Sequence, residues 1–353
     1  MFNALPVLVS RSLIFTFFFS LLLLVFIISR RLVVQRREAH FQARYLQIEQ
    51  AVLQAVSAGD EGPAVEVAQK YASQRKVLTQ VLIDFLEIIS GRGQEILKVI
   101  FENGLKERCL KDLHSRLVVR RLRATRLVGF FSVLPEKSLL LDLLRDKPII
   151  RLAAVNAMVR FPDRDSLALV FQAFEEESCP NIHTYANIIF GAGKKVEPFI
   201  KACLTKTIPS EKLSLLIELA GSIPLPSLYP EVVRFAAHPE KEVRIKVAKA
   251  LGKFLVPDSF EILENMAGDT EWEVQAQVLR ALGNLKNAGA LVLLTRGLFS
   301  PSWYVRYNAR EGLLNLGPLG IRRLEEISNQ EVDRFAADMA TMALEEISYS
   351  GVW

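Results

Sequence analysis

The feature that most constrains this chain is repetition at a step of 31 residues. EVRIKVAKALG (242–252), EVQAQVLRALG (273–283) and YVRYNAREGLL (304–314) align so that Val243, Val274 and Val305 are equivalent, and the same interval reaches back to Ile150 and Val119. Eight residues after each start stand Leu127, Met158, Ile189, Ala220, Leu251, Leu282, Leu313 and Leu344, every one apolar. A fixed step with an apolar column is the mark of stacked units, because each unit buries its apolar face only against its neighbours.

Each unit reads as two helices. SFEILENMAG (259–268) forms a short first helix, DTEW a turn with Asp269 or Thr270 as N-cap, and EVQAQVLRALGNL a second helix that ends near Gly283. Leu279 and Leu282 share one face of it, and Ala281 is small enough for close approach to the next unit. No window shows sustained apolar alternation between turn signals, so no strand is predicted. The pattern resembles HEAT repeats, specifically the short 31-residue bacterial type first associated with phycobilisome lyases, over 119–347; Asn181 and Lys212 stand where that family prefers valine or isoleucine. The resemblance implies a right-handed or gently curved α-solenoid of helical hairpins and leaves function open. In such repeats an arginine one residue after the start bonds acidic groups or carbonyls in the turns of the adjacent unit. That implies an inter-repeat structural role for Arg120, Arg151, Arg244 and Arg306, with Gln275 as the replacement in one unit.

A second feature lies near the N-terminus, where 12–29 (SLIFTFFFSLLLLVFIIS) carries no charge. Roughly 17 to 25 apolar residues cross a bilayer, so a single transmembrane helix is predicted there. A cleaved signal peptide is disfavoured because no small-residue cleavage site follows. Arg11 precedes the run and Arg30, Arg31, Arg36 and Arg37 follow it, so the positive-inside rule places 1–11 outside and the rest in the cytoplasm. Ser12, Thr16 and Ser20 form a hydroxyl stripe, read as bonding back to its own helix rather than across to another. Residues 30–58 read as a helical stalk, GDEGP at 59–63 as a break, 64–118 as divergent helical hairpins and 348–353 as a tail. The expectation is therefore an all-α, single-pass protein of a bacterial inner membrane. Three cysteines without a close pair fit a reducing compartment.

The net charge of +5 is not diffuse. From 106 to 126, eight basic residues stand against Glu107 and Asp112, a local charge of +6. Arg116, Arg120 and Arg123 share a helical face there, with Arg121 and Arg126 beside them. Such a patch suits anionic lipid headgroups or an acidic partner, and as readily a solvated face balanced by Glu175, Glu176 and Glu177. Nucleic acid is disfavoured, because no aromatic residues are interleaved for stacking.

Catalytic patterns fail. FGAGKK (190–195) lacks the upstream glycine and the following Ser or Thr of a phosphate loop, and Ser73 with Lys76 has no companion motif. His40, His114, His183 and His238 are followed by Phe, Ser, Thr and Pro, so the His-Glu pairs of iron-binding HEAT hydroxylases are missing. Cys179 and His183 have no second pair to complete a zinc site. The sequence therefore predicts no cofactor, no metal and no enzyme of lyase or glycosylase type. It predicts a scaffold for a membrane-associated protein partner, with Trp272, Trp303 and Tyr304, at the starts of successive second helices, as binding anchors or, as readily, as packing between repeats. The basic-patch binder of lipid or nucleic acid is the alternative.

Overall fold

The computed structural model describes the backbone of residues 5–86, 88–131, 138–160, 164–177, 181–329 and 333–350, and side chains within those ranges apart from 5–18, 138, 140, 164, 349 and 350. Among the described residues the secondary structure is entirely helical. Two compact units make up the chain, Met1–Ala157 and Met158–Trp353.

The first unit begins with α1 (Leu5–Ala58), followed by α2 (Glu61–Lys70), α3 (Arg75–Phe85), α4 (Arg92–Gly104), α5 (Lys106–Leu113), α6 (Val118–Phe131), α7 (Ser138–Leu144) and α8 (Pro148–Val159), within whose last turn the boundary falls. The C-terminal end of α1 is part of a globular core. Ile48, Val52 and Ala55 are buried, and α1 packs on α2, α3 and α4, which supply Ala68, Leu78, Leu82, Leu97 and Ile100. The Tyr45 hydroxyl donates to Asp84 Oδ2 at 2.8 Å and fixes α1 on α3.

The N-terminal part of α1 corrects the membrane reading. Among the described residues, no helix is long and apolar enough to cross a membrane. The side chains of 12–18, and with them Ser12, Thr16 and the flanking Arg11, lie outside the described residues. Phe19 to Ser29, and Arg30 and Arg31 after them, are exposed. The helix then continues unbroken through the exposed Arg36 and Arg37 into the core of the unit. The membrane-spanning helix in the predicted fold class, and the single-pass inner-membrane placement drawn from it, are overturned.

The second unit contains α9 (Arg164–Glu176), α10 (Ile182–Phe190), α11 (Glu197–Leu204), α12 (Ser210–Ser222), α13 (Tyr229–Val233), α14 (Lys241–Phe254), α15 (Ser259–Met266), α16 (Trp272–Leu285), α17 (Leu291–Leu298), α18 (Trp303–Asn315), α19 (Pro318–Ser328) and α20 (Arg334–Ser350). The second helices α12, α14, α16 and α18 lie side by side in one layer. The short first helices α13, α15 and α17 each pack on the second helix that follows. Burial repeats at the 31-residue step: Val243, Val274 and Val305 are buried, as are Leu251, Leu282 and Leu313 on the second helices and Val232, Leu263 and Leu294 on the first. Each such aliphatic side chain contributes about 1.5–3 kcal/mol when fully buried.

The second helices approach each other at small residues. A Cβ built on Gly252 would lie 2.7 Å from Ala281 Cα, one on Gly221 2.8 Å from Ala250 Cα, and one on Gly283 2.4 Å from Gly312 Cα. In the first unit the same arrangement joins Gly129 to Ala157, where a Cβ would meet the alanine Cα at 2.7 Å. Positive φ recurs at the same step after these helices: Leu255 (φ 56) and Lys286 (φ 52) cap α14 and α16 in the left-handed region, and Gly317 (φ 67, ψ −139) follows α18 in a conformation open to glycine.

In an exposed helix, glycine to alanine stabilises by about 0.5–1 kcal/mol. The close contact reverses that sign. Gly283→Ala is expected to destabilise the protein by about 1–3 kcal/mol, as overpacking does. Gly268→Ala, where a Cβ meets nothing within 4 Å, is expected to stay within ~0.5 kcal/mol of wild type. Equal denaturant midpoints for the two variants would sink the close-approach account.

Candidate interaction surface

The turns that start the second helices are clamped by arginines. Arg244, in the first turn of α14, donates from Nη1 to the carbonyls of His238 (2.8 Å) and Pro239 (2.9 Å) in its own turn, and from Nε and Nη2 to both carboxylate oxygens of Asp269 in the next (2.6 and 2.9 Å). Asp269 also accepts from the N–H of Glu271 at 2.9 Å, while Glu271 itself takes the N-cap position of α16. The sequence reading of Asp269 or Thr270 as N-cap is thereby shifted, because the carboxylate is drawn into the clamp. Gln275 retains half of the device, donating to the Asp269 carbonyl at 2.6 Å. Arg306 bonds the carbonyls of Ser300 (2.7 Å) and Pro301 (3.1 Å) and lies 5.2 Å from the Phe335 ring.

On α6 the clamp residue is Arg121, not Arg120. Arg121 donates to Ser115 O at 2.5 Å and bidentately to Asp146 at 2.7 and 2.9 Å, and the 25-residue separation from its acid equals that of Arg244 from Asp269. The α6 repeat is therefore one residue out of the register read from the sequence, and Arg120 and the exposed Val119 are left outside the repeat core. Arg151 holds the matching position in the first turn of α8 and is half-buried.

The aromatic residues form a ridge on α16 and α18. Trp272 stacks on Tyr304 (centroids 5.2 Å apart, planes 22°), Tyr304 meets Trp303 edge-on (5.2 Å, 87°), and Trp303 stacks on Tyr307 (5.2 Å, 20°). Arg310 caps the row 4.9 Å from the Tyr307 ring and is itself held by Glu311 and by Glu346 at 2.7 Å. Despite this mutual contact, Trp272, Trp303 and Tyr304 stay 43, 48 and 57 % exposed. Tyr307 was not singled out in the sequence; its signal was its place one helical turn after Trp303.

The neighbouring step shows what the repeat itself requires there. Lys241 opens α14 as Trp272 opens α16, and it reaches Glu273 at 2.6 Å, a residue in the same position as Tyr304 one unit later. One slot between adjacent second helices is thus filled by a partly exposed ion pair and the next by stacked rings. Stacking of repeats does not depend on rings in that slot.

The layer of second helices also carries charge. Glu218 bridges Lys246 (2.7 Å) and Lys249 (2.6 Å). Burial opposes its ionisation, yet the two ammonium groups prevail and hold its carboxyl below the usual value. Lys253, lowered first by burial and then by Lys249, stands in the row Ser222, Lys253, Asn284 and Asn315 at 31-residue spacing, along a groove of about 420 Å³.

The remaining predicted arginines stand in the first unit. Arg116, Arg120 and Arg126 are exposed and Arg123 is half-buried. Cys109 and Cys203 are buried and burial pushes both thiols up to about 12, far from reactive thiolates; Cys179 lies outside the described residues.

Residues 261–345 match the family profile of HEAT repeats. No curated protein sequence matches the chain. Among solved structures the chain is similar to the complex of CpcE and CpcF of phycocyanin lyase from Nostoc sp., with 16% identity, covering 69% of this chain and 94% of that one at a TM-score of 0.31. It is also similar to Kap121p, with 14% identity over 86% of this chain and 41% of that one (TM-score 0.46), and to human deoxyhypusine hydroxylase, with 14% identity over 88% and 98% (TM-score 0.30).

Burial opposes ionisation of Asp269, but the Arg244 guanidinium and the Glu271 N–H outweigh it and hold the carboxyl below its ordinary value. A depressed carboxyl adds stability that is present above its unfolded pKa, near 3.9, and is lost as pH falls through the lower folded value. Asp269→Asn is expected to cost roughly 2–4 kcal/mol at pH 7, the scale for breaking a largely buried pair. The gap from wild type should narrow only below about pH 4. Urea unfolding of both proteins between pH 7 and pH 3 checks this; a gap that closes near neutrality would refute the clamp.

Proposed function

We propose that this chain is a HEAT-repeat binding scaffold without catalytic activity of its own, and that it holds a protein partner on the aromatic ridge of α16 and α18. The observation that carries this reading is the slot exchange: where the preceding repeat places Lys241 against Glu273, this one places Trp272 against Tyr304. Two large rings left about half exposed, in a slot that an ion pair occupies one repeat earlier, add nothing the stack requires. Trp and Tyr are the residues most enriched among binding anchors, because they bury much area at little entropic cost. Trp303 and Tyr307 extend the surface, and the buried Arg310 stiffens its end. Rigid rings on packed helices arrive pre-organised, which lowers the ordering cost of association.

The slot exchange also supplies the test. Trp272→Lys with Tyr304→Glu transplants the neighbouring pair, so stability is expected to stay within about 1 kcal/mol of wild type, the scale of exposed pairs. Partner affinity is expected to fall roughly 30-fold, matching the ~2 kcal/mol threshold of an anchor residue. The partner is identified with a photo-crosslinking amino acid at position 304, with position 292, exposed on α17, as the control. Equal yields at 304 and 292, or a fold that collapses in the double variant, would defeat the reading.

A further inference from the structure

In the first unit, α3, α5 and α6 converge on a cavity of about 700 Å³. Its interior is apolar: Leu105, Cys109 and Ala124 line it and are buried. Its rim is cationic, with Arg75 and Lys76 from α3, Arg108 from α5, and Arg120 and Arg123 from α6, against a single lining carboxylate, Asp112. Asp112 is already engaged by Arg108 at 3.5 Å. Among the described residues no carboxylate pairs with Lys76, Arg120 or Arg123, whereas Arg121 between the two arginines is fully committed to Asp146. The helix thus separates its arginines into one that holds the fold and two that line the cavity. Leu117 and Val119 add apolar side chains at 56 and 58 % exposure to the same lining.

We infer that this cavity is a binding site for a small anionic amphiphile, a carboxylate or phosphate head on a short apolar chain. The volume falls in the range of small-ligand sites, about 300–1,000 Å³. Unpaired cations crowded at one rim repel each other, and an anionic head relieves that repulsion; an apolar chain displaces water from the floor. The Cys109 thiol stays neutral because burial raises it, so the floor adds no opposing charge. A bare inorganic anion would leave the floor wet, and a neutral lipid would leave the cations unpaired. This site stands apart from the aromatic ridge and does not depend on it.

The experiment is calorimetric titration of the full chain with decanoate and with decyl phosphate below their micellar concentrations, against inorganic phosphate and decyl maltoside as the two half-ligands. Saturable binding of at least one decyl anion at one per chain, with each half-ligand more than tenfold weaker, supports the site. Arg120→Glu with Arg123→Glu is expected to weaken that binding at least 30-fold, and Thr79→Phe, which fills the cavity from α3, to weaken it comparably. Arg116→Glu, on an exposed arginine outside the lining, should leave it unchanged; melting curves establish that each variant is folded. Phosphate binding as tightly as decyl phosphate, an equal loss in Arg116→Glu, or binding of an oligoglutamate peptide in preference to either decyl anion would each overturn the proposal.

Discussion

The approach of one second helix to the next at glycine and alanine sets the geometry on which the rest of the second unit depends. With Gly252 against Ala281 and Gly283 against Gly312, backbones meet with at most one methyl group between them. The larger residues on either side of that line then fall at fixed offsets. The buried columns lie to one side, while the row Ser222, Lys253, Asn284 and Asn315 lies along the exposed groove. A Cβ at any of these glycines would push the helices apart, and the ring stack between Trp272 on α16 and Tyr304 on α18 would open with them. The ridge is accordingly a product of the same contact that stacks the repeats. Helix ends obey the step as well: Leu255 and Lys286 end α14 and α16 in a left-handed backbone, 31 residues apart, and Gly317 stands at the next step with positive φ.

Arginine chemistry divides along similar lines. A guanidinium presents donors in a planar fork, so one residue can bind a carbonyl in its own turn and a carboxylate in the next. Arg244 and Arg121 do so, and Gln275, which has two donors, keeps only the carbonyl bond. Once the clamps are assigned, the basic character of the chain resolves into structural and free charge. Arg121 belongs with the former, although in sequence it is indistinguishable from its neighbours.

That difficulty marks how far the residues alone speak. The 31-residue columns were legible because burial tolerates only apolar side chains at Val243, Val274 and Val305. The slip on α6 was not, because Leu127 and Val128 are both apolar and both buried, and alignment by apolarity accepts either. The pairs that decide it, Gly129 with Ala157 and Arg121 with Asp146, are contacts between separate helices. Trp272, Trp303 and Tyr304 were visible as large residues at helix starts, but their stacking needed a crossing of two helices, and Tyr307 was seen only with it. The cavity of the first unit was legible only as charge: Arg120 and Arg123 stood out, while Arg75 and Lys76 arrive from a helix some forty residues earlier. At α1 a count of apolar residues misled, since it weighed the run of 12–29 and not the continuous helix that carries its other end into a packed core.

A repeat protein makes deviation informative. Each position in the unit has a structural requirement that its equivalents reveal, so a residue that departs from its column without serving the stack is there for another reason or for none. Glu242, exposed, and Glu273, paired with Lys241, show that the position of Tyr304 accepts a carboxylate, and Lys241 shows that the position of Trp272 accepts an ammonium. Replacing both members together by rings preserves the pairing while changing its chemistry from ionic to apolar. A lone substitution would have left Glu or Lys without its partner; the joint change keeps the slot closed and turns an outward-facing ion pair into a surface that water covers poorly. An interface that must exclude water benefits from that exchange, and a stack of repeats in isolation does not.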